Sequence, residues 1–143
     1  MRQWVISVPK RLPGMLTARR AAVATLTKIF LDEIERLLCA ASGGTRDTAT
    51  PASARPRLGG ISFLHRFGSA LNRHGHFHAC VSGGVFVPAA DQAGCDSPPV
   101  FIPARPITHV HPASRTEQVR RRAIRWFRLA HLLDAATTGD MLA

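Results

Sequence analysis

RHGHFHAC, residues 73–80, sets His74, His76, His78 and Cys80 at every second position. Successive side chains of a β-strand point to opposite faces, so residues two apart share one. Phe77, Ala79 and Val81 then line one face of a strand over 76–81, and His74, His76, His78 and Cys80 line the other. The apolar face needs a layer to pack against. The other shows a row of imidazoles to a groove or to solvent. A strand of this kind belongs in a sheet covered on one side.

The flanking sequence supplies the sheet and its cover. QWVISV (3–8) reads as a β-branched strand stopped by Pro9, and ISFLHRF (61–67) as a second strand. GGVFV (83–87) continues the histidine strand past a bulge or turn at Gly83–Gly84, and VFIP (100–103) is a short edge strand. Thr17 is placed to cap a helix running to Ala41, with Val23, Leu26, Phe30, Ile34, Leu37 and Ala41 as its apolar stripe and Gly43–Gly44 as its end. Ser114 and Glu117 form a capping-box pattern before a second helix to about Leu133, striped by Val119, Ala123, Trp126, Phe127 and Ala130. The order β-α-β-β-(β)-α predicts an α+β fold: a small antiparallel sheet packed against two amphipathic helices. Residues 1–143 read as one domain without internal repeats, interrupted by a flexible Pro/Gly-rich linker at 42–60.

Composition narrows the class. Hydrophobic residues make up 45% of the 143, enough for a core and too many for a disordered tail. Lys+Arg outnumber Asp+Glu by 19 to 9, and only Lys10 and Lys28 are lysines. Guanidinium pairs bidentately with phosphate, so an arginine excess favours a polyanionic partner; a GC-rich coding bias is the bland alternative. Three cysteines, Cys39, Cys80 and Cys95, do not make a secreted disulfide framework. No stretch approaches the roughly 18 apolar residues of a membrane span. Arg2 and the short apolar run after it do not make a signal peptide, so a cytoplasmic protein is expected.

Residues two apart on a strand have Cα atoms about 6.5–7 Å apart, close enough for two imidazoles to converge on one cation. Three in a row span about 13 Å, too far for one ion on a regular strand. The expected site is therefore two neighbouring histidines plus a ligand from elsewhere. His76 and His78 are the better pair, since Phe77 between them anchors the strand. His74 is a third ligand through local distortion, or a donor behind the site. The other reading of the row is plain polar surface. Cys80 suits a soft metal or serves as a small buried hydrophobe. His65, in phase with Ile61, Phe63 and Phe67, is expected to pack on an apolar face.

Three blocks, QWVISVPKRL, FLHRFGSALNRHGHFHACVSGGVF and VRRRAIRWFRLAHLLDAATTGDMLA, resemble consecutive parts of the two-tyrosine rolling-circle transposases, members of the HUH (His-hydrophobe-His) endonucleases. His76-Phe77-His78 matches the naming motif. The resemblance implies a divalent cation, Mg²⁺ or Mn²⁺, held by that strand and polarising a phosphate of single-stranded DNA. It also implies a tyrosine nucleophile that forms a 5′-phosphotyrosyl link. His76, His78 and His74 are the metal candidates. Arg66, Arg73 and the arginines of the second helix (Arg120, Arg121, Arg122, Arg125 and Arg128) are the DNA candidates.

The chain departs from the family pattern in three places. It has no tyrosine, it lacks the family's cysteine-rich zinc module, and Gly83 stands where an acidic residue is expected. No catalytic residue is therefore assigned. The expectation is an internal, truncated piece of an insertion-sequence transposase, incomplete for the strand-transfer chemistry of DNA transposition and recombination. A non-catalytic basic nucleic-acid-binding module and a non-functional remnant are the alternatives.

Overall fold

The computed structural model describes residues 1–8, 12, 16, 19–44, 55–65, 75–89, 98–107 and 110–143. Side chains within 110–113 are left aside. The elements in chain order are β1 (Arg2–Ser7), α1 (Arg20–Ala41), β2 (Gly60–His65), β3 (His76–Val81), β4 (Gly84–Val87), β5 (Val100–Pro103), α2 (Val110–Leu129) and α3 (Ala135–Leu142). The α+β class expected from the sequence is what the chain adopts.

β3 is the centre of a three-stranded antiparallel sheet in the order β1-β3-β2. Its alternation decides which side is covered. Phe77, Ala79 and Val81 are all but inaccessible and join one core with Ile6 of β1, Leu26, Ile29, Phe30 and Ile34 of α1, and Val119, Ala123, Ile124 and Phe127 of α2. Both long helices thus lie on one face of the sheet. His76, His78 and Cys80, one residue out of phase, lie on the other face.

α1 ends where Gly43 takes φ of 77°, a conformation that a Cβ disfavours. The Gly44 N–H then donates to the Cys39 carbonyl at 3.0 Å. Glu33, also buried, ties α1 to α2. It accepts from Arg122 Nη1 at 2.5 Å and Arg115 Nη1 at 3.3 Å.

Several expectations need correction. The first long helix is not capped by Thr17: it begins at Arg20, with Arg19 at the N-cap position. β4 does not extend β3; it turns away and pairs with β5 in a separate two-stranded sheet. Gly84 permits the pairing, since a Cβ there would stand 2.0 Å from the Ile102 carbonyl oxygen. Ser114 is not a cap, because α2 already begins at Val110. Glu117 instead holds Arg120 and Arg121 one turn along, at 2.7 and 2.5 Å.

α2 also stops at Leu129 rather than Leu133. His131 takes φ of 55°, and the Leu132 N–H turns back to the Phe127 carbonyl at 2.9 Å, a left-handed stop made without glycine. A third helix follows, capped by Asp134, whose carboxylate accepts from the Thr137 N–H at 2.6 Å. Residues 45–54 of the expected linker lie outside the described residues. Its last part is built in, as Arg57 and Phe86 exchange backbone hydrogen bonds at 2.8 and 2.7 Å.

Candidate metal centre on the open face of the sheet

The register sets the open face in rows. Gln3, Cys80 and Ile61 form one, Val5, His78 and Phe63 the next, and Ser7, His76 and His65 the third. His65 is thus the cross-strand partner of His76 and the diagonal neighbour of His78. The three ring centroids lie 4.4–5.2 Å apart, and one nitrogen from each falls within 4.8 Å of the others. This is the one group of three metal-capable side chains among the described residues.

His65 was expected on a packed apolar face. It does share a face with Ile61 and Phe63, as alternation requires, but that face is the open one. Ile61 is 65% exposed and Phe63 41%. The signal for His65 was available in the register: two antiparallel strands joined through residues 66–75 bring 65 opposite 76. Gln3 could not be read from local spacing, since it comes from β1, 75 residues away in sequence.

His78 sits at the middle of the cluster. Its Nδ1 meets Gln3 Nε2 at 3.1 Å, and Phe63 stacks on its ring at 5.5 Å with planes 6° apart. Its Nε2 is buried without a hydrogen-bond partner. Burial, followed by the nearby His65 and His76 rings, lowers the pKa of His78 below the ordinary histidine value. The neutral ring is the metal-binding form. The buried, unpartnered Nε2 of His78 thus belongs to a ring that lies beside two further imidazoles. The donors therefore fit a metal.

The arginine candidates of α2 are not with the histidines. α2 packs on the covered face of the sheet, so its outer surface and the imidazoles lie on opposite sides of the fold. Within α2, Arg122 is engaged by Asp32 and Glu33, and Arg120 and Arg121 by Glu117. Arg120 also donates to the Met141 carbonyl. Arg125 and Arg128 are exposed. Arg66, Arg73 and His74 lie outside the described residues. Cys80 is a free thiol one row from His78, apart from the three-nitrogen cluster.

A family model described as "Putative transposase" matches residues 59–141, more than half of the chain. The chain belongs to this transposase family. The matched span opens at the start of β2 and ends in α3, so it contains all three clustered histidines and the whole of α2. No curated protein and no solved structure matches the chain. No helix among the described residues is long and apolar enough to cross a membrane.

Proposed function

We propose that this chain is the metal- and DNA-binding part of a cytoplasmic transposase that nicks and joins single-stranded DNA, built on the HUH plan. Its divalent cation would be held by His76 and His78 of β3 and completed by His65 of β2. The observation that carries the reading is the buried, unpartnered Nε2 of His78 within a three-imidazole cluster, inside the span that matches the transposase family. Bound there, a cation supplies Lewis-acid polarisation of a phosphate oxygen. The chain's own residues offer that position one nitrogen from each of three imidazoles. Phe63, Ile61 and Val5 beside it offer exposed apolar surface to the bases or sugars of a strand.

The 143 residues contain no tyrosine. They supply no phenol oxygen to attack phosphorus, so the phosphotyrosyl link needs a residue from outside them. Charge supports binding. The net charge is +10, Arg125 and Arg128 are exposed, Arg66 follows the last residue of β2 in sequence, and Arg73 comes three residues before His76.

The test is single-stranded oligonucleotide binding with and without Mn²⁺. A cation-dependent increment lost in the His76→Ala/His78→Ala double variant supports the proposal. Binding that is wholly salt-sensitive and indifferent to Mn²⁺ reduces the protein to a basic nucleic-acid-binding module.

A further inference from the structure

The donor set of the cluster is all nitrogen, and that bears on which ion it takes. We propose that His65, His76 and His78 form a three-imidazole site for a borderline metal of the zinc or cobalt(II) kind rather than for magnesium, with Gln3 as the residue that positions His78. The inference rests on the cation reading given above and goes beyond it to the identity of the ion.

Magnesium demands near-octahedral oxygen coordination and keeps much of its water, whereas imidazole suits zinc, cobalt and their neighbours. No carboxylate joins the cluster among the described residues. The positions fit a small tetrahedral centre. Zinc–imidazole bonds of about 2.0–2.1 Å place tetrahedral nitrogens roughly 3.4 Å apart. The nitrogens lie within 4.8 Å of one another, so binding draws them together by at most about 1.4 Å per pair. Three protein ligands leave the fourth position of a tetrahedron for a phosphate oxygen or water, the pattern of zinc sites that do chemistry.

Gln3 fixes which nitrogen of His78 faces the ion. A metal-ligating histidine usually gives its second ring N–H to an acceptor that locks its tautomer. Gln3 stands at 3.1 Å from Nδ1, so Nε2 is the nitrogen left for the ion, and Nε2 is the buried atom without a partner. In the metal-bound form Nδ1 carries the proton and donates to the Gln3 carbonyl oxygen, reached by turning the side-chain amide over. Phe63, stacked on the same ring, holds its plane. His65 and Gln3 are both exposed, so each can be replaced without emptying the core.

The experiment titrates metal-stripped protein with Co²⁺ and follows visible absorption, which is intense for tetrahedral and faint for octahedral cobalt(II). Thermal midpoints in Zn²⁺ and Mg²⁺ are read alongside. An intense band displaced by Zn²⁺, no midpoint shift in millimolar Mg²⁺, and loss of the band in His65→Ala support the assignment. Gln3→Leu should keep the band and weaken Co²⁺ binding roughly 10- to 100-fold. A faint octahedral spectrum unchanged by His65→Ala overturns it, as does stabilisation by Mg²⁺ equal to that by Zn²⁺. Undiminished affinity in Gln3→Leu overturns the positioning role. If Mn²⁺ or Mg²⁺ stabilises the protein through His76 and His78 with no tetrahedral band, this inference falls and the cation reading stands. If no ion has any effect, both fall.

Discussion

Arg122→Met should destabilise the protein far more than Arg121→Met, although both remove one arginine from the same helix. Arg122 reaches across to α1, where Nη1 lies 2.5 Å from Glu33 Oε1 and Nη2 lies 3.3 Å from Asp32 Oδ2. Glu33 is only 3% exposed, and the Arg122 side chain is 32% exposed. Breaking a fully buried pair costs about 3–5 kcal/mol, and an exposed pair contributes about 0.2–1. This pair lies between those limits. Arg115 Nη1, 3.3 Å from the same carboxylate, keeps part of the compensation when Arg122 is gone.

The expected loss is therefore about 2 kcal/mol, a fall of about 4–8 °C in thermal midpoint for a domain of this size. Arg121→Met removes only a surface contact to Glu117, which keeps Arg120, and should leave the midpoint unmoved. Thermal and urea melts at neutral pH measure both. Equal, negligible shifts in the two variants would refute the claim that α1 and α2 are joined through a buried charge. Glu33→Gln gives the second check, because its effect should not add to that of Arg122→Met.

Phe77→Ala, at a position 1% exposed between the two motif histidines, should cost about 3–5 kcal/mol in urea unfolding and abolish metal binding with it. Gly84→Ala should lower the melting temperature by forcing β4 from β5, whereas Gly83→Ala, where an added Cβ meets nothing within 4 Å, should not. The Asp134 carboxyl is held below its unfolded pKa of 3.8, first by the backbone N–H and then by the hydroxyl of Thr137. Its contribution is thus present above that value and lost as pH falls through the lower folded one. Asp134→Ala should therefore reduce the midpoint at neutral pH, with the difference from the parent vanishing in strong acid. Arg125→Glu/Arg128→Glu should weaken single-stranded DNA binding and flatten its log–log salt dependence by at least about 1.4, two phosphate contacts' worth.

The strands were legible because alternation is local. β3 and β5 fall where HFHACV and VFIP place them, and the buried positions of α1 follow its three- and four-residue steps. What escaped depends on partners distant in sequence. Alternation assigns His65 to the side of Ile61 and Phe63, but only the sheet order and the placement of both helices on the other face decide that this side is open. Gln3 joins the site solely through the antiparallel register of β1 with β3.

The early end of α2 was hidden because His131, rather than glycine, takes the left-handed turn. α3 is a short helix whose start depends on that stop. The arginine count overstated the free charge for a similar reason. Arg120, Arg121 and Arg122 look alike in sequence, and only the fold pairs them with Glu117, Asp32 and Glu33.

The central claim is that the open sheet face carries a cation site made from β2 and β3, and a thermal melt with and without Mn²⁺ tests it most directly. Binding to the native state alone at a hundredfold excess over Kd adds about 2.7 kcal/mol, or roughly 5–11 °C here. The account predicts a rise of that order at saturating Mn²⁺, abolished in His76→Ala/His78→Ala and reduced in His65→Ala. A melting curve unmoved by Mn²⁺, or a rise that survives loss of both motif histidines, would contradict it.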